Sequence, residues 1–191
     1  MAEGVGEALQ TDYNTDHPFG PKRPAMHRMI TFDEDRIRFT HRVVGIALDR
    51  DRVLLHRTDH MNFWALPGGR AELLEPSPET LVREMREEMG VDVKVDRLLW
   101  LAENFFEYGP RSHHEIGFYF LMHLPPDSPL RDQATFLGHE GDMPVYFEWH
   151  PLATLENVVL YPTFLRTGLK SIPTTIVHII HTDSQEEGVQ P

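Results

Sequence analysis

The stretch from residue 67 to residue 91 constrains the fold most, because it contains a tight loop and a helix whose two ends are both marked. Pro67-Gly-Gly69 stops a short apolar segment, and two glycines after a proline are typical of a tight loop. Ser77 can cap a helix, Pro78 suits its first position and Gly90 ends it. The pattern therefore predicts one sharply bounded helix from Pro78 to Met89.

The segments on either side of this helix alternate as strands do. The apolar side of the helix consists of residues that recur every four positions, namely Leu81, Met85 and Met89. The predicted strands are His41–Leu48, Val53–His56, Val91–Glu103, Glu115–His123 and Val145–Trp149. Short helices are predicted at Leu152–Asn157 and Pro162–Leu169. This mixed order indicates an α/β (α+β) layered domain.

Composition excludes several classes of protein. The chain has 191 residues, with 30 acidic and 18 basic side chains and a formal charge of −12, so it is not expected to bind nucleic acid through the phosphate backbone. It has no cysteine, which excludes disulfide scaffolds, thiolate-bound metals and thiol catalysis. No apolar run approaches the roughly 20 residues of a membrane span, and the start does not resemble a signal peptide. We expect a cytoplasmic protein with no membrane partner.

Three regions are expected along the chain. Residues 1–35 are rich in Gly, Pro, Asp and Thr without a sustained period, and we predict a loosely ordered arm. Residues 36–181 form a single domain, and residues 182–191 form a polar tail.

Three carboxylates on the predicted helix are candidates for a metal site. Glu84, Glu87 and Glu88 lie at spacings of three and four and therefore share one helix face. Such carboxylates repel one another unless a positive group lies among them, and Mg²⁺ prefers oxygen ligands of this kind. Arg83 could neutralise part of the charge or anchor Glu75. Taken alone, however, an acidic helix face is most often solvated surface.

The spacing around these carboxylates is more specific. Every fixed position of the Nudix box is filled. In order, the chain reads Gly69, five residues, Glu75, seven residues, Arg83-Glu84-Met85, one residue, Glu87-Glu88, one residue and Gly90-Val91. The sequence resembles the Nudix hydrolase family over roughly residues 38–170, including Trp64-Ala-Leu-Pro-Gly-Gly69 before the box and Gly138-His-Glu140-Gly141 after it. The resemblance implies the Nudix fold, a mixed sheet sandwiched between helices.

The resemblance also implies roles for individual residues. Glu84, Glu87 and Glu88 would be ligands of Mg²⁺ or Mn²⁺, one of them doubling as the base, and the carbonyl of Gly69 would reach a metal. Glu75 would help to bind a metal or hold the helix through Arg83. Glu140 would be a further ligand or base, and Glu115 competes for that role with the alternative of a solvent-facing strand residue. The reaction implied is hydrolysis of a diphosphate linkage between a nucleoside and another moiety.

The substrate is less constrained than the reaction. Aromatic residues that could stack on a base, with core packing as the alternative for most, are Phe105, Phe106, Tyr108, Phe118, Tyr146 and Trp149. Residues that could contact phosphate or metal are Arg57, Arg111, Arg131, His113 and His114. Tyr108 lies where some dinucleoside-polyphosphate hydrolases place a Tyr, and Pro110 near where ADP-ribose hydrolases place a Pro, so the two favour different substrates.

Three functions remain open. The preferred one is a metal-dependent pyrophosphohydrolase acting on ADP-ribose or a nucleotide sugar. The others are a MutT-type nucleoside triphosphate pyrophosphohydrolase and a non-catalytic module that senses a nucleotide. The apolar run from Ile172 to Ile180 is expected to be either a domain edge or an interface strand, and it favours a homodimer.

Overall fold

The computed structural model describes residues 28–183, and every structural statement here concerns that range. The strands are β1 (Thr31–Glu34), β2 (Ile37–Asp49), β3 (Arg52–Thr58), β4 (Gly68–Arg70), β5 (Lys94–Tyr108), β6 (Arg111–His123), β7 (Thr135–Glu140), β8 (Met143–Pro151) and β9 (Val177–Asp183). The helices are α1 (Ser77–Met89) and α2 (Leu165–Gly168), with 3₁₀ helices at Pro129–Arg131 and Leu152–Asn157.

Strand β2 is the organising element of a mixed sheet ordered β7-β8-β3-β2-β6-β5-β9, with β1 and β4 also paired to β2. It pairs in parallel with β6 over Ile37–Ala47, but with β3 only at Leu48↔Val53 and Asp49↔Arg52. On its other edge, β3 pairs with β8 along its whole length, Arg52–Thr58. The sheet therefore divides into two parts after the β2–β3 turn, and a cleft can form between them.

Alternation along β2 produces a core on each side of the sheet, since successive side chains of a strand point to opposite faces. Val43 and Ala47 pack with Leu81 and Met85 of α1, whereas Val44 and Ile46 pack with Leu155, Leu160 and Leu165 around the short helices. The sheet is thus covered by helices on both sides, which confirms the predicted α+β fold with a single domain.

The helix begins differently from the prediction. Pro76 occupies the cap position, its carbonyl accepts hydrogen bonds from the amides of Glu79 and Thr80, and no side chain caps the end. The expectation that Ser77 caps the helix is therefore wrong: Ser77 is the first helical residue, with Oγ 3.5 Å from Nε2 of His41. Gly90 ends the helix as predicted, at a φ of 69° that favours glycine.

Three strands escape the sequence prediction, namely β1, β4 and β7. Each is held by a partner strand rather than by a strong pattern of its own. The helix predicted over Pro162–Leu169 is shorter, at Leu165–Gly168. The run ending at Ile180 contributes to β9, which pairs in parallel with β5 at one end of the sheet.

Ordered structure extends slightly beyond both proposed domain boundaries. Residues 31–34 form β1 on the edge of β2, and Thr182 and Asp183 belong to β9. The rest of the predicted arm and tail, residues 1–27 and 184–191, lies outside the described residues. Between residues 28 and 183, no helix is both long enough and apolar enough to cross a lipid bilayer.

The β2–β3 turn is fastened to the rest of the domain by a buried carboxylate. Asp49 Oδ1 accepts hydrogen bonds from Nη2 and Nε of Arg131 at 2.5 and 3.1 Å, and Oδ2 accepts one from Arg52 at 3.1 Å. The bonds from Arg131, together with Arg52, lower the pKa of Asp49. Arg131, a candidate phosphate contact in the sequence, is therefore engaged in a structural ion pair.

We predict that Asp49→Asn destabilises the protein at pH 7 by about 1–3 kcal/mol, the scale of hydrogen bonds to charged groups. Because the folded-state pKa is lowered, the stabilisation by Asp49 is present above the unfolded pKa of about 3.9 and is lost as the pH falls through the folded value. Urea unfolding at several pH values should show the two proteins converging below about pH 4. The exposed Asp127, changed to Asn, serves as the control; a gap that stayed constant with pH would contradict the assignment.

Candidate active site

Helix α1 directs two of its three candidate carboxylates into the protein and one outward. Glu84 and Glu88 are one helical turn apart and are only 9% and 5% exposed, whereas the side chain of Glu87 is 57% exposed. The same turn of helix buries Leu81 and Met85, so the buried carboxylates lie beside the apolar face of the helix. A carboxylate in that position loses its hydration and needs compensation from the protein or from a ligand.

Arg83 supplies part of that compensation. Its guanidinium donates to both oxygens of Glu75, at 2.8 and 3.0 Å, and to Oε1 of Glu84 at 2.7 Å. Nη1 also lies 3.3 Å from Oε2 of Glu87, and Nη2 donates to the carbonyl of Arg70. Arg83 thus ties the loop after β4 to the helix, which is the supporting role expected for the pair Glu75 and Arg83.

Gly69 lies directly against Glu84. Gly69 is the register partner of Val43 on β2, and a Cβ at position 69 would come within 2.0–2.2 Å of the Glu84 carboxylate atoms. Any side chain at residue 69 would displace that carboxylate. The neighbouring carbonyl of Gly68 accepts a 2.8 Å hydrogen bond from Arg42.

Glu88 is the least compensated of the carboxylates. Within residues 28–183, its Oε2 is buried without a hydrogen-bond partner, and the nearest basic atom is Nδ1 of His56 at 3.8 Å. Burial, with smaller contributions from Glu84, Glu140 and Glu87, raises the pKa of Glu88 to about 8. Burial and Arg42 lower the pKa of His56 to about 3, so the imidazole is neutral and does not form an ion pair with Glu88.

The donor set fits a hard divalent cation. Glu84, Glu87 and Glu88 offer carboxylate oxygens on one helix, Oε2 of Glu88 has no hydrogen-bond partner among the described residues, and Gly69 leaves room for the Glu84 carboxylate. In the described part of the chain, however, no three acidic or histidine side chains are already gathered closely enough to hold a metal ion. A cation at this point would compete with Arg83 for Glu84 and Glu87.

A cavity of about 570 Å³ occupies the cleft where the sheet divides. Glu84, Glu87 and Glu88 are not among its lining residues, but His56 lines it and has Nδ1 3.8 Å from Oε2 of Glu88, so the cavity lies next to the carboxylate site. Arg42 and Arg70 line its end near Glu84 and Glu88, together with His56 and Glu140. Adjacent positions of β2, β6 and β5 form its floor, and aromatic side chains line the far end. The cavity is large enough for a drug-sized ligand.

Several sequence candidates meet at this cavity. Glu140 and Glu115 both line it, as do Tyr108, Phe106 and His113. Phe106 stacks on His113 with ring centres 4.7 Å apart, and Tyr108 contacts the edge of Phe63 at 6.1 Å. Glu140 and Glu115 lie on different strands, so both positions proposed for an additional acidic group have access to the cavity.

Other candidates lie elsewhere. Phe118 packs on the α1 side of the sheet against His41, and Trp149 is a core residue whose Nε1 donates to the carbonyl of Leu130. Arg111 forms a 2.6 Å ion pair with Asp33. Further candidates absent from the cavity lining are Phe105, which stacks on His114, Arg57, which lies over Trp64, and Tyr146 on β8. Pro110 lies in the β5–β6 turn.

The residues that line the cavity and that the sequence interpretation missed include Arg42, Arg70, His56 and Asn104. One signal was present: Arg38, Thr40 and Arg42 alternate on the face of β2 that becomes apolar at Val44. A face that changes from polar to apolar along one strand indicates that only part of it is covered by core. The positions on β5 and β3 carry no comparable local signal.

Comparisons with known proteins agree with this geometry. The family model described as the NUDIX domain matches residues 39–167. YjhB of Bacillus subtilis (strain 168), provisionally named an ADP-ribose pyrophosphatase, is 33% identical to this chain over 73 residues. The matched residues make up 38% of this chain and 35% of YjhB, so the chain spans about a third of that relative's length. The 8-oxo-dGTP diphosphatase of Proteus vulgaris is 31% identical over 81 residues, 42% of this chain and 70% of that protein.

Solved structures show the same fold. An ADP-ribose pyrophosphatase from Streptococcus suis 89-1591 has a TM-score of 0.52 at 18% identity, covering 74% of this chain and 98% of its own. A MutT protein from Bacillus halodurans has a TM-score of 0.51 at 19% identity, covering 74% and 89%. Because the family model spans most of the described domain and its box residues form the carboxylate site beside the cavity, the chain belongs to the Nudix hydrolase family.

Proposed function

We propose that this protein is a metal-dependent pyrophosphohydrolase that cleaves the diphosphate linkage of a nucleoside diphosphate joined to another moiety, of the ADP-ribose or nucleotide-sugar type. The observation that carries the proposal is the pair of buried carboxylates of Glu84 and Glu88, which Arg83 compensates only in part and which His56 separates from a nucleotide-sized cavity. A module that only senses a nucleotide has no need of this costly arrangement.

The position of each residue indicates its role in the proposed reaction. Glu84, Glu87 and Glu88 would hold Mg²⁺ or Mn²⁺, with Gly69 keeping the space beside Glu84 open. Arg42 and Arg70 place positive charge at the same end of the cavity, where a diphosphate would lie. A bound divalent cation supplies charge neutralisation on the phosphate oxygens and lowers the pKa of the attacking water. Either Glu88 or Glu140 would accept a proton from that water.

The relatives support two substrate classes. YjhB and the Streptococcus suis structure carry ADP-ribose pyrophosphatase names, whereas the Proteus vulgaris relative is named an 8-oxo-dGTP diphosphatase. A MutT-type nucleoside triphosphate pyrophosphohydrolase is therefore the second candidate function. We further propose a cytoplasmic location and a homodimer; exposed Ile176 and Ile180 beside the end strand β9 support the latter.

A panel of nucleotides with Mg²⁺ distinguishes the candidates. We expect ADP-ribose or a nucleotide sugar to give a nucleoside monophosphate and a sugar phosphate, measured by chromatography of the products. Release of inorganic pyrophosphate from 8-oxo-dGTP or another triphosphate would support the MutT-type function instead. Tight nucleotide binding without turnover would contradict both enzymatic functions and leave the sensing module.

We predict that Glu88→Gln lowers turnover about 10²- to 10⁴-fold, the range typical of a lost acid–base or metal-bound group. The fold should be retained, because the substitution replaces a buried, uncompensated carboxylate with a neutral side chain of the same shape. Steady-state kinetics and thermal unfolding measure the two effects. Glu79→Gln, an exposed change on the same helix, is the matched control. Equal rates for both variants would show that Glu88 has no part in the reaction.

We also predict that Gly69→Ala abolishes most of the activity by displacing Glu84, because the new Cβ would overlap its carboxylate. If Gly69 acts through Glu84, the double variant Gly69→Ala/Glu84→Ala should be no slower than Glu84→Ala alone. Kinetics of the three variants provide this comparison. Additive losses would mean that Gly69 contributes independently of Glu84.

A further inference from the structure

A row of three polar residues crosses the floor of the cavity. Thr40 of β2 is the register partner of Glu115 of β6, and Glu115 is the register partner of Asn104 of β5. Register partners on adjacent strands lie about 4.8 Å apart with their side chains on the same face. All three residues line the cavity. We refer to Thr40, Glu115 and Asn104 as the polar row.

Two members of the polar row are buried, Glu115 is half-buried, and the side chain of Asn104 is not fully satisfied. Asn104 is 3% exposed, and among residues 28–183 its Oδ1 finds no hydrogen-bond partner. Thr40 is 8% exposed, and its hydroxyl has a long contact of 3.4 Å with Thr31 Oγ1. Such groups normally have partners, since an unsatisfied buried polar atom costs about 1–3 kcal/mol. Their arrangement on a cavity floor indicates that a ligand supplies the missing hydrogen bonds.

The carboxyl group of Glu115 adds to this cost. Burial raises its pKa, and the positive charges that oppose this effect are those of Arg42 and Arg70. Arg42 donates a hydrogen bond to the carbonyl of Gly68. Hydroxyl groups of a ligand can donate hydrogen bonds to this carboxyl group without bringing another charge into the cavity.

The position of the row within the cavity identifies the part of the ligand that it would meet. Arg42 lies two residues from Thr40 on the same face of β2, toward the carboxylates of α1. In the other direction, Phe106 and His113 are each two residues from members of the row. Two residues span about 6.6 Å along a strand. Arg38 lies at that end as well, where its guanidinium donates to Asp33 at 2.7 and 2.9 Å. The cavity thus has Arg42 and Arg70 at one end, polar side chains in the middle, and aromatic rings beside the Arg38–Asp33 ion pair at the other end. This arrangement suits the order of phosphate, sugar and base in a nucleotide.

We propose that Glu115 and Asn104, with Thr40 beside them, bind the ribose hydroxyls of the substrate and select ribonucleotides over 2′-deoxyribonucleotides. The inference rests on the proposed function in that a nucleotide occupies this cavity. A carboxylate can accept hydrogen bonds from both hydroxyls of a ribose, as acidic residues do at other ribose sites. A 2′-deoxy analogue leaves buried polar groups unpaired, and a site built in this way rejects such analogues strongly. The selected substrates are those of ADP-ribose or nucleotide-sugar type.

The test measures binding rather than turnover. Isothermal titration calorimetry with Mg²⁺ compares ADP and GDP with their 2′-deoxy counterparts on the full chain. For the wild-type protein we expect each ribonucleotide to bind about 10- to 100-fold more tightly than its 2′-deoxy analogue. In Glu115→Gln and in Asn104→Leu this preference should fall to within about threefold. Thermal unfolding confirms that each variant is folded, and either variant alone is sufficient for the comparison.

Glu103→Gln is the matched control. Glu103 is adjacent to Asn104 on β5 but pairs at the surface with His178, at 2.8 Å, so its replacement should leave the ribose preference unchanged. Equal binding of ribose and deoxyribose forms by the wild-type protein, or no nucleotide binding at all, would overturn the inference. So would variants that change the preference between adenine and guanine while keeping the ribose preference, because the row would then contact the base. A ribose preference without hydrolysis of any diphosphate would refute the proposed reaction and leave this inference intact.

Discussion

The site depends on the burial of two carboxylates that belong to a helix whose apolar side chains form part of the core. Glu84 and Glu88 share α1 with Leu81 and Met85, so the packing that fixes the helix on the sheet also removes these carboxylates from water. Arg83 compensates Glu84 but does not reach Glu88 among its described hydrogen bonds. The domain therefore keeps an uncompensated carboxyl group that a folded protein without a ligand for it would have little reason to retain.

The divided sheet provides the space that this group faces. Because β2 and β3 share only two residue pairs, β2 continues with β6 while β3 continues with β8, and the cavity lies in the cleft between the two parts. Arg42, on the long strand β2, contributes both to the support of the loop, through the carbonyl of Gly68, and to the positive end of the cavity. The same strand, β2, therefore organises the sheet and lines the cavity.

The sequence predicted those parts that local pattern determines. The helix, the β2–β3 hairpin and the long strands β5 and β6 follow from periodicity and from glycine and proline signals, and the spacing of the box located Glu84, Glu87 and Glu88. The strands β1, β4 and β7 were missed because pairing with a neighbour, not their own composition, holds them in the sheet. Ser77 fails as a cap because Pro76 takes that position.

The parts of the site that the sequence did not predict depend on register. Asn104 and Thr40 are 64 positions apart in the chain and meet the same residue, Glu115, only because three strands align. Likewise, Trp149 and Phe118 looked suitable for stacking on a base. Whether they can reach a base depends on the side of the sheet on which they lie, and both belong to the core around α1. No spacing along the chain contains that information.

The close approach of β7 to the end of α1 has a consequence for how this pocket could diversify. A Cβ on Gly138 would lie 2.1 Å from the carbonyl oxygen of Glu88, so the two backbones touch two residues before Glu140. The separation of the two backbones that carry Glu88 and Glu140 is therefore governed by main-chain contact, independently of the side chains at the hairpin tip that follows. Evolution could lengthen or shorten that tip to suit a new leaving group while the acidic pair stayed in place.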